Sequence, residues 1–409
     1  MLVDPVLAAA AHALDSGDVL SALQRVALRE DAPALALRGI ALARLGKRER
    51  ARELLQSAAK AFGGAMPLGR ARCLLADAEI ALASRDLRGV DVALARAARD
   101  LRALGDPTNA LHADCLAARG WLLRGLLNEA ERALRALDRN HASDALQAEI
   151  QLAWVELHVR TPDANSARSA LAAAERAARR ARIPAISAEV RTARALLGAP
   201  AGRLIEGGNV RLLGLSQVES VLRASRGLLI DARRFSARAG NRQISLKGRA
   251  VLFGLLRALS EAWPSEVARR DLLSRVFSVT RANDSHRARL RVELARLRRA
   301  LRPLATIAAT PAGFRLDPVG EDVVRVLLPV AESEHASVIA LLHDGEAWSS
   351  SALAMALGVN QRTVQRSLLA LEAAGRARST GRGRAKRWLS TPPGEFATPL
   401  LLPGARSLL

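Results

Sequence analysis

From its start to about residue 197 the chain repeats one local instruction. Apolar positions recur at helical spacing, the short breaks carry Gly, Asp or Pro, and no stretch alternates polar with apolar as a strand would. A chain written this way is committed to layers of helix on helix over that half. Composition agrees: half of the 409 residues are hydrophobic, aromatics are only 3% and Tyr is absent, which favours packing through Ala and Leu. The length allows roughly two to four domains, each with its own core. GAPAGRLIEGGNV, residues 198–210, breaks the helical pattern and reads as the linker that ends the first domain at residue 197.

Within the helical half the clearest unit is ALALRGIALARLGKRERARELLQSAAKAF, residues 34–62. Gly39, Gly46, Ala51 and Ala58 stand where two antiparallel helices must approach closely, and Leu55 fills a large-residue position. A second copy, residues 116–137, places Gly125 and Ala130 79 residues after Gly46 and Ala51, about two periods of 39 to 40. RCLLADAEIALASRDLRGVDVALARAARDL fits weakly between them. These units resemble degenerate tetratricopeptide repeats. The resemblance implies an array with a concave surface for a protein or peptide partner, or for a second copy in a homodimer.

Charge is unevenly spread. Residues 1–200 hold 29 basic and 23 acidic side chains, whereas residues 201–409 hold 33 and 17. Only four basic residues are Lys (47, 60, 247 and 386), a bias that explains Arg over Lys but not the excess over acid. The second half is therefore the half expected to meet a polyanion.

NDSHRARLRVELARLRRALRP, residues 283–303, concentrates seven of those arginines. On a helical wheel Leu290, Leu294, Leu297 and Leu301 form one narrow apolar stripe, with Asn283, Asp284 and Ser285 as candidate N-caps. Ala288, Val292, Arg296 and Arg299 then point away from the core, flanked by Arg289, Arg291 and Arg298. Small residues early and guanidinium groups along the edges suit the major groove of double-stranded DNA. An ordinary solvated helix would intersperse acids at i+4, and only Glu293 does so.

The flanking order is a hairpin in residues 227–246, then VLFGLLRALSEAWP, VARRDLLSRVF, the arginine helix, and a second hairpin in residues 305–316. Residues 225–317 closely resemble the winged-helix output domain of two-component response regulators. VARRDLLSRVF matches that family's second helix, LRVELARLRRAL its recognition helix, and Gly313–Leu316 its closing wing strand. The resemblance implies DNA contacts from Ala288, Arg289, Val292, Arg296 and Arg298. Phe277 replaces a usual Trp, and Thr310-Pro311-Ala312 replaces the wing's Gly and basic residue, which puts a minor-groove contact in doubt. Nothing upstream has the βα alternation or acidic cluster of a receiver domain, so aspartyl phosphorylation is not expected.

SSSALAMALGVNQRTVQRSLLALEAAGRARSTGRGRAKRWL, residues 349–389, offers a second reader. Leu353, Ala354, Leu357, Gly358 and Val359 predict a helix that stops at a glycine turn, and Asn360 can cap the next. There Val364, Leu368 and Leu371 face inward, leaving Arg362, Arg366 and Leu369 outside beside Thr363 and Gln365. Gly375 ends the helix, and a two-stranded wing follows whose tip projects Arg382 and Arg384. This segment resembles the winged helix-turn-helix of bacterial one-component regulators.

No other chemistry emerges. Cys73 and Cys115 read as buried thiols of a reducing compartment, and His112 with Cys115 lacks the second pair a metal site needs. GRGRAK lacks the phosphate-loop pattern, and there is no nucleophile elbow, so neither cofactor, metal nor enzymatic activity is expected. The amino terminus carries an acid where a signal peptide is basic, and no apolar run approaches the ~18 residues of a membrane span. The expectation is a cytoplasmic, nucleoid-associated protein, mainly α with small β-wings. Its order is a helical repeat array (1–197), a linker (198–210), a winged helix (211–318), a linker (319–333), a second winged helix-turn-helix (334–391) and a Pro-rich tail (392–409). The function expected is sequence-specific regulation of transcription; the rival is an adaptor built on the repeats, which predicts no sequence preference.

Overall fold

The computed structural model describes residues 4–84, 86, 87, 89–224, 226–277, 283–320, 323–330, 338, 339, 342, 348–357, 360–373, 376–381, 383 and 386–390. It is mainly helical, with a smaller β component. The chain divides into two compact units between Leu196 and Leu197, with Pro162–Ala164 grouped with the second.

The first unit is built of α1 (Pro5–Asp15), α2 (Val19–Val26), α3 (Ala32–Arg44), α4 (Arg48–Phe62), α5 (Pro67–Ala83), α6 (Val90–Ala103), α7 (Pro107–Leu123), α8 (Leu127–Arg135), α9 (Asp144–Arg160), α10 (Ala164–Ala181) and α11 (Pro184–Gly198). The Asp and Pro breaks in the sequence are helix starts. Asp4, Asp18, Asp31 and Asp106 accept first-turn amides of α1, α2, α3 and α7, and a proline stands in the first turn of α1, α3, α5 and α7. Helices end in a shared turn in which an amide reaches back five residues: Asp18 to Ala13, Lys47 to Leu42, Asp86 to Ala81 and Leu126 to Trp121, at 2.8–3.0 Å. Gly46 and Gly125 supply the left-handed residue of two of these turns (φ 76° and 74°). The α3–α4 hairpin is tightly packed, since a Cβ on Gly39 would lie 2.8 Å from Leu55 Cγ.

A chain of buried charge runs through the interior of this unit. Arg119 of α7 bonds Glu149 of α9 at 2.6 Å, and His112 Nε2 lies 3.5 Å from Glu79 of α5, with all four side chains at most 6% exposed. Burial pushes the Glu149 carboxyl up, against the pull of Arg119. Burial alone would lower the His112 imidazole, but Glu79 and Glu149 outweigh it and raise it. Cys73 and Cys115 are free and buried, and burial lifts the Cys73 thiol to about 12.

The second unit departs from expectation in its sheet. Six strands lie in the order β2-β1-β9-β3-β4-β5, formed by β1 (Gly202–Glu206), β2 (Asn209–Leu213), β3 (Leu228–Asp231), β4 (Ser236–Ala239), β5 (Arg242–Ser245) and β9 (Val324–Leu328). Residues 198–210, read from sequence as a linker, hold β1 and the start of β2, whose hairpin turns at Gly207-Gly208. Residues 319–333, the second expected linker, contain β9 at the centre of the sheet, antiparallel to β1 and parallel to β3. Every residue of β9 is buried, Arg325 among them, so this mostly apolar segment is a strand covered on both faces. The hairpin expected at 227–246 has three strands, with the Ala-Gly-Asn-Arg turn joining β4 to β5. The unit also holds α12 (Leu215–Arg223), which the sequence reading missed.

Between β5 and β9 the chain forms α13 (Ala250–Ala262), β6 (Val267–Ala268), α14 (Arg269–Phe277), α15 (Asp284–Leu301), β7 (Ala305–Ala309) and β8 (Gly313–Pro318). The three helices bury Leu255, Leu256, Leu272, Leu294 and Leu297 in one core with Val326 of β9. Beyond β9, the helical residues Val338, Ile339 and Leu342 pack with α16 (Ser350–Leu357), α17 (Gln361–Ala373), β10 (Ala377–Thr380) and β11 (Arg387–Ser390). Ala250 of α13 packs against this smaller core.

Candidate nucleic-acid interface

Helix α15 sits as its leucine stripe dictates. Leu290, Leu294, Leu297 and Leu301 are at most 3% exposed, and one free-energy argument fixes the opposite face: burying four Leu side chains is worth about 1.5–3 kcal/mol each, far more than any surface preference. Asn283 is the N-cap, its side chain accepting the His286 amide at 3.0 Å while His286 answers the Asn283 amide. Ser285 is thus in the first turn rather than the cap, and it is exposed. Ala288, Arg289, Arg291, Val292, Arg296, Arg298 and Arg299 are all exposed, Val292 to 50%.

The arginines are not equivalent. Arg296 pairs with Glu293 at 2.9 Å, and the guanidinium of Arg289 lies 5.0 Å from the Phe277 ring. Arg298 donates from Nε to the Ile307 carbonyl at 2.9 Å and lies 5.8 Å from the Phe314 ring, which ties it to the β7–β8 hairpin. Among the described residues Arg291 and Arg299 have no carboxylate partner. These two are the least compensated charges on the face.

The hairpin beside α15 is held by contacts that the sequence did not announce. Arg269, at the start of α14, donates to the Thr310 and Pro311 carbonyls at 2.9 and 2.8 Å and stacks 5.2 Å over Phe314. That leaves the tip, Thr310-Pro311-Ala312, backed by a cation although it carries none. β6 pairs with β8 through Val267↔Phe314 and Ala268↔Gly313, so a third strand leads directly into α14.

The second module repeats this plan. Trp348 and Trp388 exchange backbone hydrogen bonds at 2.9 and 2.7 Å, which sets a bridging residue against β11 two residues before α16. Asn360 Oδ1 accepts the Arg362 amide at 2.8 Å and starts α17. Val364, Leu368 and Leu371 are buried; Arg362, Thr363, Gln365 and Arg366 are exposed, and so is Leu369, at 56%. Glu372 accepts both the amide and the hydroxyl of Ser379, closing β10 onto the helix. Lys386 Nζ lies 4.4 Å above the Trp388 ring. Gly358, Val359, Gly375 and the two arginines expected at the tip, Arg382 and Arg384, fall outside the described residues.

Each helix therefore exposes one aliphatic side chain, Val292 or Leu369, with arginine one turn before it and small or polar residues around it. Such a face can donate bidentate bonds to guanine edges and touch a thymine methyl. No cluster of His, Cys, Asp and Glu among the described residues could hold a metal, and no helix among them is long and apolar enough to cross a membrane. No protein-family model, curated protein or solved structure matches the chain.

Proposed function

We propose that the protein is a sequence-specific regulator of transcription whose two modules, one built on α13, α14 and α15 with the β7–β8 hairpin and one on α16 and α17 with β10 and β11, are winged helices that read double-stranded DNA. The observation that carries this reading is the repeated face: α15 and α17 each oppose a buried Leu stripe with exposed arginines around a single exposed aliphatic side chain. One such face is common in an arginine-rich chain. Two of them, each next to an antiparallel hairpin and preceded by a bridging strand in one case and a bridging residue in the other, favour a shared use.

In this reading Arg291 and Arg299, without carboxylate partners, bind phosphates, while Val292 and Arg296 on α15 and Gln365 and Arg366 on α17 meet base edges. Arg298 serves chiefly to hold the wing. The helical hairpins of residues 1–197, proposed as tetratricopeptide-like, take a protein, peptide or second copy of the chain as partner. Selection of duplex fragments on the purified protein at physiological salt tests the function. An enriched motif, lost when Arg296→Ala and Arg366→Ala are combined, is the result expected. Retention without a motif, or a motif that survives both substitutions, refutes it.

A further inference from the structure

We infer that the helical unit carries a binding site for a small polyanion, one bearing two or more phosphate or carboxylate groups, in the cleft between α9 and α10. The inference goes beyond the reading of DNA and does not depend on it. The cleft has a volume of about 300 Å³ and is lined by Arg139, Gln147, Gln151, Arg176 and Arg180 around a floor that includes Ile150 and Ala177. That volume lies at the lower end of ligand pockets, which run from roughly 300 to 1,000 Å³.

Several arginines elsewhere in the unit that bridge neighbouring helices are met by acids: Arg52 by Asp77 and Asp86, Arg72 by Asp106, Arg124 by Asp91. In the cleft, the facing positions on α9 are Gln147 and Gln151, one turn apart. Arg180 has a partner, Asp144 at 2.7 Å, and also donates to Gln147 at 3.2 Å. Among the described residues Arg139 and Arg176 have none. Arg176 and Arg180 are moreover four residues apart on one helix face, where like charges repel. An anion in the cleft would relieve that repulsion and receive forked guanidinium donors from two or three directions.

A recessed site with an apolar floor suits a compact anion better than the convex backbone of a duplex. Titration calorimetry on the full chain, with sodium pyrophosphate and with citrate at fixed ionic strength, tests it. The wild type should bind one equivalent of at least one probe saturably. Arg139→Gln with Arg176→Gln, both exposed positions, should weaken that binding roughly tenfold or more, and Ala173→Phe should occlude the cleft without removing charge. Arg291→Gln with Arg299→Gln, on α15, should leave it unchanged. Absence of saturable binding overturns the inference, as does binding that survives both cleft changes or falls equally with the α15 pair. Loss of DNA retention in the cleft variant without any probe binding would assign the arginines to the DNA backbone and overturn it too.

Discussion

Gly313→Ala should detach the β7–β8 hairpin from the helices it borders. A Cβ built on Gly313 would lie 1.9 Å from the Val267 carbonyl oxygen, 2.6 Å from its carbon and 2.9 Å from the Ala268 Cα. All three are backbone atoms, so no side chain can swing away, and β6 must part from β8. The pairs lost are Val267↔Phe314 and Ala268↔Gly313. Each backbone bond contributes about 1 kcal/mol net, and partial exposure of Val267 and Phe314, now 4% and 8% exposed, adds about 1–2 kcal/mol. The sum, about 3 kcal/mol, corresponds to roughly a hundredfold change in a local opening equilibrium. Hydrogen exchange read by mass spectrometry reports that opening directly. Protection at residues 267–268 and 313–316 should fall about a hundredfold, while the amides of α15 beyond its first turn keep theirs. Protection within about threefold of the wild type would refute the reasoning, because it would mean that β6 and β8 accommodate a methyl group where there is no room for one.

The remaining expectations concern the two units separately. Leu294→Ala, at a position with no exposure, should destabilise the second unit by about 2–5 kcal/mol in thermal melts; a loss below about 1 kcal/mol would show that α15 does not rest on its leucine stripe. Arg291→Gln and Arg299→Gln should each reduce the slope of log affinity against log salt by about 1 with melting unchanged, and an unchanged slope would remove them from the phosphate contacts. In the helical unit, burial, reinforced by Glu149 and opposed by Arg119, pushes the Glu189 carboxyl up to about 7. The folded state thus holds that proton to higher pH than the unfolded chain, so stability should decline as pH rises from the ordinary carboxyl range to about 7 and level off above it. Glu189→Gln should raise the melting temperature at pH 8 and leave it nearly unchanged at pH 4, and a variant with the wild-type pH dependence would contradict the assignment.

What the sequence disclosed follows from the range of the forces involved. The helices of the first unit, their caps and the outward faces of α15 and α17 all depend on residues within about a dozen positions, so periodicity alone exposed them. The position of β9 does not: its partners β1 and β3 lie about 100 residues upstream, and five residues, four apolar and one Arg, are too few to distinguish a central strand from a connection. Hence two segments taken for linkers proved to supply neighbouring strands of one sheet. The same limit divides the candidate interface. Exposure of Val292 and Arg296 is the complement of the leucine stripe and could be read in advance. That Arg298 is drawn to Ile307, and that Arg269 props the hairpin tip from α14, depends on where separate elements meet. The absence of a basic residue from the tip of the β7–β8 hairpin put a minor-groove contact in doubt from the sequence; in the fold Arg269 places a guanidinium behind that tip. Its charge reaches the hairpin from the fold rather than from the hairpin's own residues.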